Sequence, residues 1–463
     1  MTVPVDRQSG SSEESLGRAD IAPANLPEPH GASLTEKDHA HIWHPFTAMH
    51  NWIERDPLII ESGSGVFLKD VIGREYYDGN SSLWVNVHGH RHPRIDEAIR
   101  EQLNQIAHST FLGLTNPLAI QLAEQLAALA PGELNRVFYS DSGSEAVEIA
   151  LKIAFQHWQL RGEPQRTEYL TLANGYHGDT LGAVSVGGIP AFHGLFRPLL
   201  FKTHWATVDT PDLKQTLDRF IRMLHENHSR LAAVIMEPSI QAAAGMLLMP
   251  PGFLKGVELA CHEFAVPLII DEIATGFGRT GRMFACEHEA VHPDLMCIAK
   301  GLTGGYLPLA ATLVTDAIFE PFLGENAVFY HGHSYTANAL GCAAALANLS
   351  IFRDEQVLDT LAPRIEHVRT RLRRFKDLSH VRDVRQFGMM IGIEIRAPES
   401  EAVGYGRDLT SGSRVCLRCR ELGMITRALG DVVVFLPPLS ATIPQLDAML
   451  EILYQSIIDV TGV

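Results

Sequence analysis

The sequence has few cysteines and no long apolar run. Its 463 residues include six cysteines, too few for a disulfide scaffold in a chain of this length. No stretch approaches the roughly 18 consecutive apolar residues of a membrane-spanning helix. The first residues also lack the basic start and the apolar stretch of a secretory signal. These absences predict a protein of the reducing cytoplasm, without a membrane partner.

The chain also lacks an excess of positive charge. Lys and Arg number 38 against 54 Asp and Glu, a formal net charge of −16, and the calculated pI is about 5.7. Phosphates are repelled on average by such a balance, so we expect no nucleic-acid partner. Hydrophobic residues make up 46% of the chain and charged residues 20%, which is typical of a globular protein with a large core.

Two patterns that can signal a metal site are weak here. Cys416 and Cys419 form a CxxC pair, but no second pair follows at zinc-ribbon spacing, and three residues are also about one helical turn. We interpret the pair as helix packing, with a metal or redox role as the alternative. The 22 histidines include no HExxH motif, so we expect no catalytic metal.

Composition and pattern divide the chain into four parts. Residues 1–35 are rich in Ser, Pro, Ala and acidic side chains and are predicted to be a flexible tail. Residues 36–85 contain a predicted β-meander and are expected to join a small domain. A large domain is predicted over 86–345, and residues 346–463 are predicted to form the C-terminal part of the small domain.

The predicted large domain alternates strands with helices. Its strands are short and uninterruptedly apolar, which is typical of a parallel sheet that is buried on both faces. We therefore predict the α/β fold class for the large domain and an α+β arrangement for the small one. The predicted strands are Arg136–Ser140, Leu231–Met236, 266–270 and 295–299, and a helix is predicted over 144–158. In the small domain we predict a helix over 363–376 and strands over 388–394 and 431–436.

Polar residues follow three of these apolar strands. Glu237, Asp271 and Lys300 stand where the strands end, and ligands of open α/β sheets bind at the carboxyl ends of strands. A buried amine can act as a nucleophile once its pKa falls, and a buried carboxylate can keep a pyridine nitrogen protonated. The alternative for Asp271 and Lys300 is an ordinary salt bridge.

Two loops could complete a cofactor site. Ser142, Gly143 and Ser144 stand at the start of the predicted helix, where free N–H groups and the helix dipole favour phosphate. The alternative is an ordinary serine N-cap. Tyr176, beside His177 on a glycine-flanked loop, could lie against a planar ring, or could simply anchor a turn. Together with the carboxylate and the lysine, these features describe a pyridoxal 5′-phosphate site.

Several segments resemble a known family. Residues 269–281 (IIDEIATGFGRTG) and 293–305 (PDLMCIAKGLTGG) are similar to the signature of the class III (ω-) aminotransferases, which have the pyridoxal-phosphate fold type I. The resemblance runs from about His41 to near the C-terminus. Segments 42–49, 81–90, 329–336 and 426–431 resemble the members that aminate 8-amino-7-oxononanoate in biotin biosynthesis.

The resemblance implies a fold, a cofactor and roles for residues. The fold would be type I, with a large, mostly parallel α/β domain that binds pyridoxal 5′-phosphate and a small α+β domain built from both chain ends. Lys300 would hold the cofactor covalently and move a proton, and Asp271 would contact its ring nitrogen. Gly143 and Ser144 would bind its phosphate, and Tyr176 would lie against its ring.

The resemblance also implies a homodimer with the active site at the subunit interface. His333 and Ser334 would reach the phosphate from the partner subunit, and Gly332 would line the substrate site. Arg427 would clamp the carboxylate of the keto acid. Arg279 would lie in the substrate pocket or in its hydrogen-bond network.

The expected substrate wall departs from a common pattern of the family. Phe46 stands where many members have Tyr, and Leu83 stands where many have the first of two consecutive Trp residues. His333 replaces a proline that is common in the family. These residues resemble more closely the members that use lysine. The amino donor is therefore open between S-adenosylmethionine, lysine and another amine.

Two further functions compete with this one. The first is a class III aminotransferase that acts on another ω-amino substrate, such as 4-aminobutyrate, ornithine or a β-amino acid. The second is a non-catalytic regulator that kept the fold. The intact pair of Lys300 and Asp271 argues against the regulator, because a retired site has no need of a buried amine.

Overall fold

The computed structural model describes residues 33–396 and 410–462, and the chain divides into two units at Leu58 and Ile59. The predicted tail therefore lies outside the described residues up to residue 32. The first unit contains helices α1 (Leu34–His41) and α2 (Met49–Trp52). Ser33 caps α1 through a reciprocal capping box with Glu36, which satisfies two backbone N–H groups at the helix start.

The second unit contains all the strands of the described chain. In chain order they are β1 (Ile60–Ser64), β2 (Phe67–Asp70), β3 (Glu75–Asp78), β4 (Arg136–Ser140), β5 (Glu168–Leu172), β6 (Thr203–Ala206), β7 (Leu231–Met236), β8 (Ile240–Gln241), β9 (Leu247–Leu248), β10 (Leu268–Asp271), β11 (Leu295–Ile298), β12 (Ala310–Val314), β13 (Val381–Phe387), β14 (Met390–Ile395), β15 (Met424–Ile425), β16 (Arg427–Leu429) and β17 (Val432–Phe435).

Helices connect these strands. The α-helices are α3 (Ser81–Trp84), α4 (Pro93–Leu103), α5 (Pro117–Leu129), α6 (Gly143–Leu160), α7 (Leu181–Val186), α8 (Pro190–His193), α9 (Leu213–Asn227), α10 (Phe253–Glu263), α11 (Asp316–Phe319), α12 (Ala339–Asp354), α13 (Val357–Leu372), α14 (Ser411–Glu421) and α15 (Ile443–Thr461). Short 3-10 helices cover Gly194–Leu199, Ala285–Glu289, Lys300–Thr303, Glu320–Leu323 and Arg373–Asp377. Within the described ranges, no helix combines the length and the apolar character that a membrane crossing requires.

A seven-stranded sheet forms the centre of the second unit. Its order is β4-β12-β11-β10-β7-β5-β6, and every neighbouring pair is parallel except the two pairs of β12 with β11 and β4. The predicted large, mostly parallel α/β arrangement is confirmed. Strands β4 and β7 have the predicted bounds, and β10 and β11 differ from the predicted strands by one or two residues.

Helices cover both faces of this sheet. Ile269 of β10 shares an apolar cluster with residues of α6. Its neighbours Leu268 and Ile270 point the other way and belong to the cluster that contains Phe220 of α9 and Phe253 of α10. Because successive side chains of a strand alternate between faces, both faces are buried, which explains why the central strands lack polar alternation.

Two smaller sheets bring the chain ends together. Strands β1, β2 and β3 form the predicted antiparallel meander, and β15 adds to it parallel to β3. The other sheet is antiparallel, in the order β13-β14-β17-β16. The predicted α+β part is confirmed, whereas the domain boundaries given above stay a prediction. Cys416 and Cys419 lie on α14 as free thiols, so the helical interpretation of the CxxC pair is confirmed.

Two predicted boundaries were displaced. The helix predicted from residue 363 begins at Val357, and Pro363 lies inside it. The strand predicted from residue 388 begins at Met390, because Gly388 adopts a φ of 62° in the turn before it. A Cβ on Gly388 would lie 2.4 Å from the backbone of Thr280, so this turn requires glycine.

Candidate active site

A cavity of about 690 Å³ opens where several strands of the central sheet end. It combines the ends of strands, the start of α6 and the loop before α7, as the sheet topology predicts. Its chemically important lining residues are Trp84, Asp141, Ser142, Gly143, Ser144, Tyr176, His177, Asp179, Glu237, Asp271 and Lys300. The structure thus brings together the predicted cradle, aromatic, carboxylate and lysine.

The start of α6 forms a polar cradle in the wall of the cavity. Ser142 caps the helix, since its Oγ accepts from the N–H of Glu145 at 3.3 Å while the Glu145 carboxylate accepts from the N–H of Ser142 at 2.8 Å. The N–H groups of Gly143 and Ser144 precede the first intrahelical donors. A Cβ on Gly143 would lie 2.8 Å from the Ile273 side chain. This end of the helix therefore suits a phosphate.

The loop at Gly178 closes over this cradle. Gly178 has a φ of 120°, and a Cβ there would lie 2.3 Å from Ser144 Oγ. Ser144 Oγ lies 2.8 Å from Thr180 Oγ1 and accepts from the N–H of Thr180 at 3.0 Å. The close approach of the two segments fixes the position of the Ser144 hydroxyl.

Asp271 ends β10 and is held from two sides. Its Oδ2 lies 2.7 Å from Nδ1 of His177, and its Oδ1 accepts from the N–H of Ile273 at 3.0 Å. Both Asp271 and His177 are buried. These two contacts fix the orientation of the buried carboxylate, as contact with a cationic ring nitrogen in the cavity would require.

Glu237 directly follows the neighbouring strand β7. It is buried, and its carboxylate accepts from the N–H groups of Tyr176 at 3.2 Å and Ala242 at 2.9 Å. Burial raises the pKa of Glu237 to about 7, and the charge of Asp271 adds to this increase. The side chain therefore fixes the loop that carries Tyr176, whose own hydroxyl donates to Asp179 at 2.7 Å.

Lys300 lies opposite these carboxylates at the first position of a 3-10 helix. Its φ is 44°, a left-handed conformation that is costly for a residue with a side chain. Burial lowers the pKa of Lys300 from 10.5 to about 8, although the charges of Asp271 and Glu237 oppose this decrease. A substantial fraction of the amine is therefore neutral near pH 8 and available as a nucleophile.

The ring of Trp84 flanks this amine. Lys300 Nζ lies 4.9 Å from the ring centroid, within the range of a cation–π contact. Trp84 follows a strained turn in which Ser81 and Ser82 also have positive φ. The carboxylate of Asp78 holds this turn by accepting from the N–H of Ser82 at 2.7 Å.

Arg279 stabilises the same turn through hydrogen bonds. It is buried, and its guanidinium donates to the carbonyl of Pro437 at 2.6 Å, to Ser81 Oγ at 3.3 Å and to the carbonyl of Asn86 at 3.1 Å. Burial lowers the pKa of Arg279 to about 9. These contacts place Arg279 in the hydrogen-bond network behind Trp84, one of the two positions that the resemblance implied.

Arg427 begins β16 and is half-buried. Burial lowers its pKa, and the charge of the guanidinium acts on both Tyr176 and Lys300. Among the described residues, no carboxylate forms an ion pair with Arg427. Arg427 is thus a half-buried cation beside the cavity that has no ion-pair partner in the described ranges, and it is suited to bind an anionic ligand.

Six predicted site residues of the second unit are not among the residues that line the cavity, namely Leu83, Arg279, Gly332, His333, Ser334 and Arg427. Phe46 belongs to the first unit and is exposed, and Leu83 is also exposed although it adjoins Trp84. Gly332, His333 and Ser334 lie on a loop near the cradle. His333 Nδ1 lies 3.6 Å from an oxygen of Asp141, which does line the cavity.

The polar groups of the cavity fit pyridoxal 5′-phosphate. The start of α6 offers donors for a phosphate, and Asp271 offers a carboxylate for a protonated ring nitrogen. Lys300 offers an amine of lowered pKa for an aldehyde, and no residue of the described chain donates to or accepts from this amine within hydrogen-bond distance. The residues present can therefore hold this cofactor.

The chain is similar to known proteins over most of its length. The pattern of the family "aminotransferase class III" matches residues 48–457. A relative from Anoxybacillus flavithermus is 52% identical over 92% of this chain and 96% of its own length. A relative from Nitratidesulfovibrio vulgaris is 50% identical over 93% of this chain and 82% of its own length. Both are named adenosylmethionine-8-amino-7-oxononanoate aminotransferase.

Solved structures share the fold. The crystal structure of the enzyme of the same name from Methanocaldococcus jannaschii has a TM-score of 0.89 and 44% identity, over 92% of this chain and 98% of that one. A transaminase from the marine bacterium Virgibacillus has a TM-score of 0.86 and 30% identity, over 93% of this chain and 99% of that one.

Sequence reasoning missed the partners that orient the predicted groups. His177 was noted only as the neighbour of Tyr176, and its bond to Asp271 joins residues 94 apart in the chain. Glu237 was noticed at its strand end but was not placed in the site. Its position after an apolar strand was the available signal, because parallel strands deliver their carboxyl ends to the same edge.

A methyl group at residue 178 tests the closed cradle. Gly178→Ala would push Ser144 away, and we expect the Kd for pyridoxal 5′-phosphate, measured by equilibrium dialysis, to rise by about tenfold or more, the loss of roughly one charge-assisted hydrogen bond. Gly162→Ala is the matched control, because Gly162 also has a positive φ, 78°, but no atom within 4 Å of the added Cβ. An equal affinity in both variants would contradict the cradle.

Replacing His177 tests the orientation of Asp271. His177→Leu removes the donor to the carboxylate, so we expect the Kd for the cofactor to rise by about tenfold. His177→Asn keeps an N–H near the position of Nδ1. Its loss of binding free energy for the cofactor should therefore be less than a third of the loss in His177→Leu. Fluorescence titration of both variants checks this order, and equal losses would exclude the hydrogen bond as the cause.

Proposed function

The chain belongs to the class III aminotransferase family, and from that premise we propose that it transfers an amino group to 8-amino-7-oxononanoate, forming 7,8-diaminononanoate for biotin biosynthesis. The names of relatives that are 43% to 52% identical support this acceptor. The observation that carries the proposal is the convergence of Lys300, Asp271 and the start of α6 on one cavity.

We propose that the cavity holds pyridoxal 5′-phosphate. When bound, this cofactor supplies an aldehyde that accepts an amino group and a ring that withdraws electrons from the reacting carbon. The N–H groups of Gly143 and Ser144 would bind its phosphate, and Asp271 would keep its ring nitrogen protonated. Tyr176, held through its N–H by Glu237, would restrict the ring from one side.

Lys300 would act in two ways. As a neutral amine, which its lowered pKa permits near pH 8, it would hold the cofactor covalently through Nζ. With the cofactor bound, Nζ would also take the proton that leaves the substrate carbon and deliver it to the carbon of the cofactor that carries the transferred nitrogen. The ring of Trp84, whose centroid lies 4.9 Å from Nζ, would limit the access of water to the amine.

Arg427 would orient the acceptor. The keto acid carries a carboxylate at the end of a long apolar chain, remote from the carbonyl that receives nitrogen. A guanidinium without an internal anion can take that carboxylate by two parallel hydrogen bonds. The clamp would set the distance between the carboxylate and the reacting carbon. Other ω-amino substrates of shorter length would not span it.

We propose S-adenosylmethionine as the amino donor, because the names of the relatives contain it. Lysine is the competing donor, because Phe46 and Leu83 replace the larger or more polar residues of many members. Transfer balances with either one, since the donor carbon that loses the amino group becomes a carbonyl while the acceptor carbonyl becomes an amine.

The active form is proposed to be a homodimer in the cytoplasm. The loop at residues 328–336 supports the dimer, because Val328, Tyr330 and Tyr335 expose 52%, 84% and 59% of their surface next to the predicted phosphate ligands His333 and Ser334. Exposed apolar side chains beside a site are typical of an interface. The six free cysteines agree with a reducing compartment.

An assay with one acceptor and one donor at a time tests the function. We expect purified enzyme with cofactor to convert 8-amino-7-oxononanoate to 7,8-diaminononanoate, followed by mass spectrometry, with S-adenosylmethionine as donor. Lysine, 4-aminobutyrate and ornithine serve as competing donors in parallel reactions, and Lys300→Ala serves as the inactive control. Efficient turnover with lysine alone would overturn the proposed donor, and no product with any donor would overturn the acceptor.

Changing Arg427 tests the clamp. Arg427→Ala should raise the KM for the keto acid by roughly 30- to 100-fold, the loss of a bidentate charged pair, while the KM for a monoamine donor without a carboxylate should stay within about twofold. Arg427→Lys keeps the charge but not the fork and should fall between them. Steady-state kinetics with both substrates checks this, and equal changes would refute the clamp.

A further inference from the structure

A buried asparagine holds the backbone directly after Lys300. Asn348 lies in the middle of α12 and is fully buried. Its Nδ2 donates to the carbonyls of Gly301 and Leu302, both at 3.0 Å. The amide thus donates both of its N–H groups to the turn that begins with the lysine. These bonds connect α12 to the segment that carries Lys300.

The turn needs such a restraint. Lys300 has a φ of 44°, in the left-handed region, which a residue with a side chain adopts only where its surroundings enforce it. Gly301 packs beneath Phe277, since a Cβ there would lie 2.8 Å from that side chain. Gly304 ends the turn with a φ of 65°, and a Cβ there would lie 3.1 Å from Asn348 Oδ1. Asn348 therefore contacts both ends of the turn.

His88 is a buried neighbour of the Asn348 amide. Burial lowers the pKa of His88 to about 4, although a contact with the Asn348 side chain opposes this decrease, so the imidazole is neutral at physiological pH. His88 Nε2 and Asn348 Oδ1 are both buried, and neither has a hydrogen-bond partner within 3.5 Å among the described residues. The orientation of the amide follows instead from its two bonds to carbonyl oxygens, which only the Nδ2 end can donate.

We propose that Asn348 is a positioning residue for Lys300: it holds the left-handed turn so that the amine stays beside the ring of Trp84 and within the influence of Asp271 and Glu237. The inference rests on the proposed function, because the amine is positioned for capture of the cofactor. Asn348 itself touches neither the cavity nor the reacting atoms. Its effect is exerted through the backbone of Gly301 and Leu302.

The consequence for the amine follows from its surroundings. Four charged groups act on Lys300. Asp271 ends β10, Glu237 follows β7, Arg427 begins β16 and Arg279 lies in the segment after β10. Burial is the largest cause of its lowered pKa. If the turn relaxes, Nζ reaches more water while these charges remain, so its pKa moves up toward that of an ordinary lysine.

Capture of the cofactor by the cofactor-free protein tests the proposal. The rate of the absorbance change after adding pyridoxal 5′-phosphate is measured from pH 6.5 to 10 for wild type and Asn348→Ala. We expect a midpoint near pH 8 for wild type, and for the variant a midpoint at least half a pH unit higher with a rate at pH 7.5 at least threefold lower. Asn348→Ser, which keeps one hydroxyl donor, should fall between them and is also the alternative if the alanine variant does not fold.

Asn227→Ala is the matched control. Asn227 is buried on α9, and its Nδ2 donates to the carbonyl of Met223 at 2.8 Å, remote in sequence from the lysine turn. The Asn227→Ala variant should lose thermal stability, but the pH midpoint of its capture rate should equal that of wild type. Unchanged midpoints in folded Asn348→Ala and Asn348→Ser would overturn the proposal. Wild type that captures no cofactor would instead overturn the proposed function, so the two failures are distinguishable.

Discussion

The site depends on one electrostatic constraint, which is the amine of a half-buried lysine under the influence of two buried carboxylates. Removal from water favours the neutral amine, whereas Asp271 and Glu237 favour the charged one, and the balance leaves the pKa of Lys300 at about 8. An amine in full contact with water would be almost entirely protonated near neutral pH and unable to attack an aldehyde.

The parallel sheet makes the arrangement possible. Strands β7, β10 and β11 run side by side, so Glu237, Asp271 and Lys300 arrive at one edge although they are separated by up to 63 positions in sequence. Short bonds then orient them, such as the one between His177 and Asp271 at 2.7 Å. The strained turns at Trp84 and Lys300 show that the surrounding contacts outweigh local backbone preference.

Groups with a local signature could be predicted from sequence. A polar residue after an apolar strand identified Asp271 and Lys300, and a Ser-Gly-Ser segment before an amphipathic run identified the start of α6. The orienting residues could not be found in this way. Arg279 reaches Pro437, 158 residues away, and Asn348 reaches Gly301, 47 residues away, and only the tertiary fold brings such partners together. The helix was predicted to begin at Pro363, but α13 begins at Val357 and contains Pro363 about one and a half turns after its start.

The most direct measurement of this constraint is covalent trapping. The protein loaded with pyridoxal 5′-phosphate is reduced with borohydride, digested and mapped by mass spectrometry. The account predicts one phosphopyridoxyl group per chain, on the peptide that contains Lys300, with occupancy that rises between pH 7 and 9. A label on another lysine, or none at all, would contradict it.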